Sequence, residues 1–234
     1  MIAILPVEGV PEIHEGDDLA VILGEAAQLE DGDVLVVAQK VVSKAEGRVV
    51  RLEDVEASDQ ARDLAVDRDP RELEVVLREA RRLVRTRPPL VIAETHHGFV
   101  CASAGVDHSN AAGPGALVLL PLDPDASSRR LSESLGVAVI VSDSFGRPFR
   151  QGTTDVAIGV AGLAPLLDLR GTRDAAGYEL RTTMIAIADE IAGAAELVMG
   201  KARGIPAAIV RGLDVLGDGT ARELVMPADR DLFR

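Results

Sequence analysis

The chain has 234 residues, of which 47% are apolar, 27% charged and only 2% aromatic, and its 25 lysines and arginines stand against 38 aspartates and glutamates for a net charge of −13. That length is ample for a buried core and the apolar content is that of a globular protein, while the acidity argues against a general nucleic-acid binder and against docking on an anionic membrane, though a local basic pocket stays open. Without Trp, and with one Tyr and four Phe, the chain has no base-stacking platform and must build its core from Val, Leu, Ile and Ala. The single cysteine, Cys101, cannot close an internal disulfide, the N-terminal MIAILPVEGVPE lacks the basic region of a signal peptide, and no run approaches the ~18 apolar residues of a membrane span. By elimination a cytoplasmic location is expected.

A short strand is predicted at Ile2–Leu5, running into the Pro/Gly loop PVEGVPE. Asp17 and Asp18 lead an amphipathic segment, LAVILGEAAQL, predicted helical with the acidic residues in its first turn, where they suit the helix dipole. After a turn at Asp31–Asp33, VLVVA (Val34–Ala38) is a continuous apolar run of strand length and so a buried strand. The following QKVVSKAEGRVV is too lysine-rich for a core helix. Residues 53–87 read as one or two surface helices broken near Asp69-Pro70, with Leu73, Val76 and Leu77 on the inner face. Leu90–Glu94 and Gly98–Ala102 form a hairpin if the intervening THH is a tight turn. Further on, ALVLL is a strand, DPDASSRRLSESLG a helix capped by Asp123 or Asp125, and VAVIVSD a buried strand. SFGRPFRQGTTD reads as a long polar loop, VAIGVAG and APLLDLRG as short β segments, Ile185–Met199 as a helix and Ala207–Leu213 as a late strand, with Phe233 docking the C-terminal tail. This irregular interleaving predicts an α+β fold, and no repeat or linker divides the chain.

The common nucleotide and hydrolase fingerprints are missing: there is no G-x-x-x-x-G-K-[ST], no G-x-G-x-x-G and no G-x-S-x-G, and one cysteine cannot build a multi-thiolate zinc site. Three loops carry chemistry instead. In QKVVSKAEG, Lys40 and Lys44 lie four apart after a buried strand, as a local phosphate site or as a solvated pair. In GVDHSN, Asp107, Ser109 and Asn110 offer oxygens to a hard divalent cation or form an Asx-turn. In VSDSFGRPFRQGTTD, Asp143 and Ser144 end a buried strand with Arg147 and Arg150 close behind, a set suited to metal plus anion chemistry or to a surface loop of internal Asp–Arg pairs. His96 and His97 cannot share one strand face, and Cys101 reads as a small core residue.

At these loops the sequence resembles the coenzyme F420-0:L-glutamate ligase (γ-glutamyl ligase) family. The matching segments, in the family's order, are ILPVEGVPEI, GDVLVVAQKVVSKAEGRVV, ETHHGFVCASAGVDHSN, LLPLDPDAS, VSDSFGRPFRQGTTDVAIGVAG and ADEIAGAAELVMGKARGIPAAIVRG. The resemblance implies a GTP-dependent ligase that adds L-glutamate to a deazaflavin with a phospholactyl tail, coenzyme F420-0, and extends it by γ-linked glutamates. It further implies Mn²⁺ or Mg²⁺, often K⁺, and an unusual α+β fold with a mixed or antiparallel sheet in an intertwined homodimer. Residues 1–234 would form one stand-alone ligase domain, without the flavin-binding domain that some bacterial relatives append. The resemblance places the nucleotide against Val10, Pro11, Glu12 and Ile13, near Gln39, Lys44 and Asn110, and at the loop holding Gly200 and Lys201, whose lysine would contact phosphate. It maps metal ligation to Asp107, Asp143 and the hydroxyl of Ser144. Gln39 stands where relatives often carry a hydroxyl residue, and Ser144 where they often carry Thr.

A carboxylate acylates poorly because its leaving group would be oxide, so phosphorylation must come first. The expected route has the tail carboxylate attack the γ-phosphorus of GTP to give an acyl phosphate, which the glutamate amine then opens. In it Asp107 and Asp143 hold metal, Lys44 neutralises phosphate charge, and Arg147 with Arg150 receives the acidic tail or the glutamate. A metal-dependent phosphohydrolase using the same carboxylates, or a non-catalytic deazaflavin-binding subunit, is the alternative.

Overall fold

In chain order, the computed structural model, which describes residues 1–111 and 113–232, runs β1 (Ala3–Val7), α1 (Leu19–Ala26), β2 (Val34–Ala38), α2 (Gln39–Ala45), β3 (Val49–Arg51), α3 (Asp59–Ala65), α4 (Pro70–Glu79), β4 (Ala80–Arg87), β5 (Leu90–Thr95), β6 (Val100–Ala102), β7 (Ala116–Val118), α5 (Pro124–Leu135), β8 (Ala138–Arg147), β9 (Arg150–Ala161), β10 (Leu167–Asp168), β11 (Met184–Ile185), α6 (Ile187–Met199) and β12 (Ala207–Arg211). The principal sheet has the order β1-β12-β2-β8-β9, in which β2 and β8 are parallel and every other neighbour is antiparallel. The architecture is therefore α+β with a mixed sheet, as the irregular interleaving of elements predicts. Among the described residues, no helix is long and apolar enough to cross a membrane.

The central strand explains the two-sided core. Every residue from Val34 to Val37 is fully buried. Because strand side chains alternate, Leu35 and Val37 join Leu23 of α1 and Leu131 of α5 on one face, while Val34 and Val36 meet Ile191 and Ala195 of α6 on the other. A strand covered on both faces has no use for polar alternation, which is why VLVVA is unbroken. Helix α5 has its signals in place: Asp123 caps it by accepting from the Ala126 amide, Pro124 holds the first turn, and Gly136 ends it at φ +72°. Asp125 is not the cap. Its Oδ1 accepts from the Val160 amide at 2.9 Å and the Ala221 amide at 2.8 Å, joining the helix to β9 and to the turn Ala221–Leu224. At Gly159 the approach is closest, since a Cβ there would stand 2.3 Å from the Pro124 carbonyl oxygen.

Four expectations need correction. Residues 80–87 form a strand: β4 pairs antiparallel with β5, and Arg82 Nε reaches Glu94 Oε2 across the ladder at 2.7 Å, so its arginines belong to a strand and do not line a helix face. SFGRPFRQGTTD is a β-ribbon, with Ser144 opposite Asp155, Phe145 opposite Thr154 and Arg147 opposite Arg150. QKVVSKA is helical, and Gln39, Val42, Ser43 and Lys44 in it are buried, because its lysines turn inward to a cavity. Asp17 lies outside α1, whose cap is Asp18. The expected hairpin of β5 and β6 is present, with its turn at Thr95–Gly98. The proposed docking of Phe233 lies outside the described residues.

Candidate functional site

The candidate cavity, about 220 Å³, opens where the end of β2 and the middle of the β8–β9 hairpin meet α2 and the close of α6. The N-terminal loop supplies Val10, Pro11, Glu12 and Ile13 to its wall, α2 supplies Gln39, Lys40 and Lys44, and the turn after α6 supplies Gly200 and Lys201. Asn110 joins from the loop after the Asp107 bridge, its side-chain nitrogen 3.3 Å from the Lys201 carbonyl oxygen. The hairpin β8–β9 presents Ser142, Asp143, Ser144 and Asp155, and Glu196 of α6 completes that side. Segments separated by more than 180 residues thus converge on one space.

The basic residues of the cavity are all lysine. Lys40, Lys44 and Lys201 are the only lysines in the chain, and all three line it. Each lies against a carboxylate. Lys44 Nζ is 2.5 Å from Glu12 Oε1, Lys40 Nζ is 2.6 Å from Asp107 Oδ2, and Lys201 Nζ is 3.5 Å from the same Asp107 oxygen. Asp107 is fixed further by the Ser109 amide at 2.8 Å and the Ser109 hydroxyl at 2.9 Å. Burial pushes the Asp107 carboxyl up, but the bonds from Lys40 and Ser109 outweigh it and hold the group well below the usual carboxylate range.

Asp143 is the opposite case. Burial first, and then the negative charges of Asp155 and Asp107, push its carboxyl up to about 7 against the counter-effects of the Ser144 amide and Lys40. Asp155 is buried and accepts from Ser142 Oγ at 3.0 Å and Ser144 Oγ at 2.6 Å, so it fixes the hydroxyl of Ser144 within the wall. Glu196 is raised as well, by burial and then by Asp155. Gln39 adds a donor: its Oε1 accepts from Ser43 Oγ at 2.8 Å, and its buried Nε2 has no partner among the described residues.

Sequence reasoning located Asp107, Asp143, Ser144, Lys44, Gln39, Asn110, Lys201 and the N-terminal loop, and the fold brings them together. It missed Asp155, Ser142 and Glu196. Asp155 carries no direct signal in the sequence: a turn at Pro148-Phe149 alone sets Thr153 opposite Ser144, and the irregularity between Gly146 and Arg147 moves the register on by two residues to Asp155. Arg147 and Arg150 are not among the residues that line the cavity; they face each other at the exposed end of the hairpin, where Arg147 donates to the Gln151 carbonyl. Cys101 is buried core, its thiol pushed up to about 12 by burial and by Asp143, which leaves it without thiolate character.

Among the described residues, no three His, Cys, Asp or Glu side chains converge as a self-sufficient metal cage. Asp107, Asp143 and the Ser144 hydroxyl are nevertheless hard oxygen donors, and Asp143, raised first by burial, also stands in the negative field of Asp155 and Asp107. A magnesium-type ion, which takes one or two carboxylates and completes its shell with water and phosphate oxygens, fits that set. Ammonium groups, carboxylates and a hydroxyl that share one cavity have the chemistry suited to a phosphorylated ligand held together with a hard cation.

Comparison with known proteins gives the family. A family model described as F420-0:Gamma-glutamyl ligase matches residues 9–212. Proteins named coenzyme F420:L-glutamate ligase are similar over nearly all of their length. That of Methanopyrus kandleri is 48% identical, covering 98% of this chain and 98% of its own. That of Methanothermobacter thermautotrophicus is 44% identical over 100% and 99%, and that of Archaeoglobus fulgidus 42% identical over 100% and 96%. The chain belongs to the F420-0:gamma-glutamyl ligase family.

Proposed function

We propose that this chain is a GTP- and divalent-metal-dependent ligase that joins L-glutamate to the phospholactyl tail of coenzyme F420-0 and extends a γ-linked glutamate chain. The observation that carries the reading is the convergence of all three lysines of an acidic chain on one cavity that is also lined by carboxylates and hydroxyls. The relatives' names supply the glutamate and the deazaflavin. GTP as co-substrate, Mn²⁺ or Mg²⁺, K⁺, the intertwined homodimer, the single ligase domain and the cytoplasmic location belong to the same proposal.

In this mechanism the triphosphate lies between the N-terminal loop and α2. Lys44, held by Glu12, and Lys201 at the mouth bind phosphate oxygens, and the Gln39 Nε2 donor finds its acceptor on the nucleotide. Asp107, Asp143 and Ser144 would hold a divalent ion, whose charge would lower repulsion between the phosphates and the attacking carboxylate. The tail carboxylate attacks the γ-phosphorus, GDP leaves, and the acyl phosphate stays neutralised by the lysines. The amine of glutamate then attacks the acyl carbon, losing a proton, and inorganic phosphate departs. No covalent enzyme intermediate is needed, in keeping with the inert thiol of Cys101.

Mass spectrometry of the products from purified protein, GTP, Mn²⁺, glutamate and the deazaflavin precursor tests the reading. The expected products are the glutamyl amide, GDP and phosphate, in amounts that fall at least about 100-fold in Asp143→Ala. Nucleotide hydrolysis without glutamate incorporation would establish the phosphohydrolase instead, and near-normal ligation by Asp143→Ala would remove Asp143 from the metal site.

A further inference from the structure

The three lysines are held in different ways. Lys44 meets a loop glutamate, and Lys201 is 57% exposed with its Nζ 3.5 Å from Asp107. Lys40 alone is set into the anionic centre. Its side chain is 14% exposed, its Nζ lies 2.6 Å from Asp107 Oδ2 and 2.6 Å from Ser109 Oγ, and its charge acts on Asp143 as well. An ammonium so placed does part of what a bound cation does, because it neutralises Asp107 and offsets the repulsion between Asp107 and Asp143. A divalent ion arriving at Asp107 meets that charge at contact distance, so the two cations compete for one carboxylate.

We propose that Lys40 is an internal counter-cation, which occupies the Asp107 side of the metal site and passes to the terminal phosphate when metal and nucleotide bind together. This rests on Asp107 being a metal ligand, as read above. The exchange breaks no covalent bond. Asp107 trades an ammonium for a metal ion, Lys40 trades a carboxylate for a phosphate oxygen, and each anion keeps a cation throughout. Lysine suits the task as a compact charge on a flexible four-carbon stem, where an arginine fork would hold its carboxylate by two bonds. The consequence is thermodynamic coupling: metal alone binds weakly against Lys40, the triphosphate draws Lys40 away, and metal and nucleotide strengthen each other's binding.

Electron paramagnetic resonance of Mn²⁺, recorded without turnover, tests this on the unaltered protein, Lys40→Met, Lys40→Arg and Asp107→Asn, each with and without GTP. Without nucleotide, Lys40→Met is expected to bind Mn²⁺ about tenfold more tightly than the unaltered protein, with a matching loss of cooperativity toward GTP, within the usual range of coupling between sites. Lys40→Arg keeps the charge, so without nucleotide it should bind Mn²⁺ no more tightly than the unaltered protein, and its two-bond hold on Asp107 should weaken the strengthening by GTP. Unchanged or weaker Mn²⁺ binding by folded Lys40→Met overturns the proposal. Should Lys40→Met fail to fold, lysine-labelled unaltered protein gives three side-chain signals, and a Lys40 signal that ignores Mg²⁺ and GTP overturns it equally. Mn²⁺ binding that is indifferent to Asp107→Asn would instead remove the metal reading of Asp107, and the proposal with it.

Discussion

Replacing Asp125 by alanine should be among the most destabilising single changes outside the cavity. The carboxylate is 7% exposed, and one oxygen, Oδ1, accepts from two backbone amides on different elements, Val160 in β9 and Ala221 in the turn after β12. Both donors belong to buried residues, so Asp125→Ala strands two N–H groups away from water. An unsatisfied buried donor costs about 1–3 kcal/mol, and the removed carboxylate's own desolvation offsets part of the pair, giving a net loss of about 2–5 kcal/mol. Asp125→Asn keeps the Oδ1 acceptor and should lose only about 1 kcal/mol, the difference between charge-assisted and neutral bonds. Urea unfolding of the three proteins measures this directly, with the midpoint falling at constant m. In a domain of this length the alanine variant should melt about 5–15 °C lower. A loss under about 1 kcal/mol for Asp125→Ala would refute the reasoning, because water or a shifted backbone would then be satisfying those donors.

Two further substitutions separate the site from the scaffold. Asp155→Asn should leave the fold intact yet lower turnover by about 10–100-fold, the usual effect of disturbing the groups that orient a metal ligand, because Ser142 and Ser144 both donate to this carboxylate; steady-state kinetics with the metal concentration varied would show it. Asp33 is held below its ordinary range by Arg211, whose Nε and Nη2 lie 2.8 Å and 2.9 Å from its two oxygens. A depressed folded value stabilises above the unfolded carboxyl value and is lost as pH falls through the folded one. Asp33→Asn should therefore cost about 1–3 kcal/mol at pH 7 by urea unfolding, with the gap closing below about pH 4.

Burial pattern decided which elements were legible. Val34–Ala38 is apolar throughout because both its faces are covered, and α5 announces itself through Asp123, Pro124 and Gly136. The distal hairpin gave no such signal: Ser142, Asp143, Ser144 and Thr153–Asp155 are polar, and the ladder that orders them is satisfied by the opposite strand instead of by a hydrophobic face. β4 misled for a related reason, since its four arginines read as a solvated helix until Glu94 is seen across from Arg82. In the site, Lys40 and Lys44 were visible by their spacing and Asp143 by its place at the end of the apolar run Val137–Val141, although β8 itself continues to Arg147. Asp155 depends on strand register and Glu196 on the packing of α6, neither of which local spacing encodes.

The distribution of basic residues ties the acidity of the chain to its chemistry. Its other 22 basic residues are arginines. Several serve as fixed struts: Arg71 grips Asp69, Arg68 grips Glu72, and Arg211 bridges Asp33 and Glu30. A guanidinium fork pairs with a carboxylate through two parallel bonds and so suits contacts that persist. On the proposed function the cavity would accept a phosphate, lose one and exchange partners as the charge moves, which favours a single mobile ammonium over a fork. Its lysines are parked on Glu12 and Asp107, so the site presents little net positive charge before it binds. A net charge of −13 then conflicts with anionic ligands only at long range, where salt screens it, while at contact each incoming phosphate meets a cation already in place and needing only to change partners.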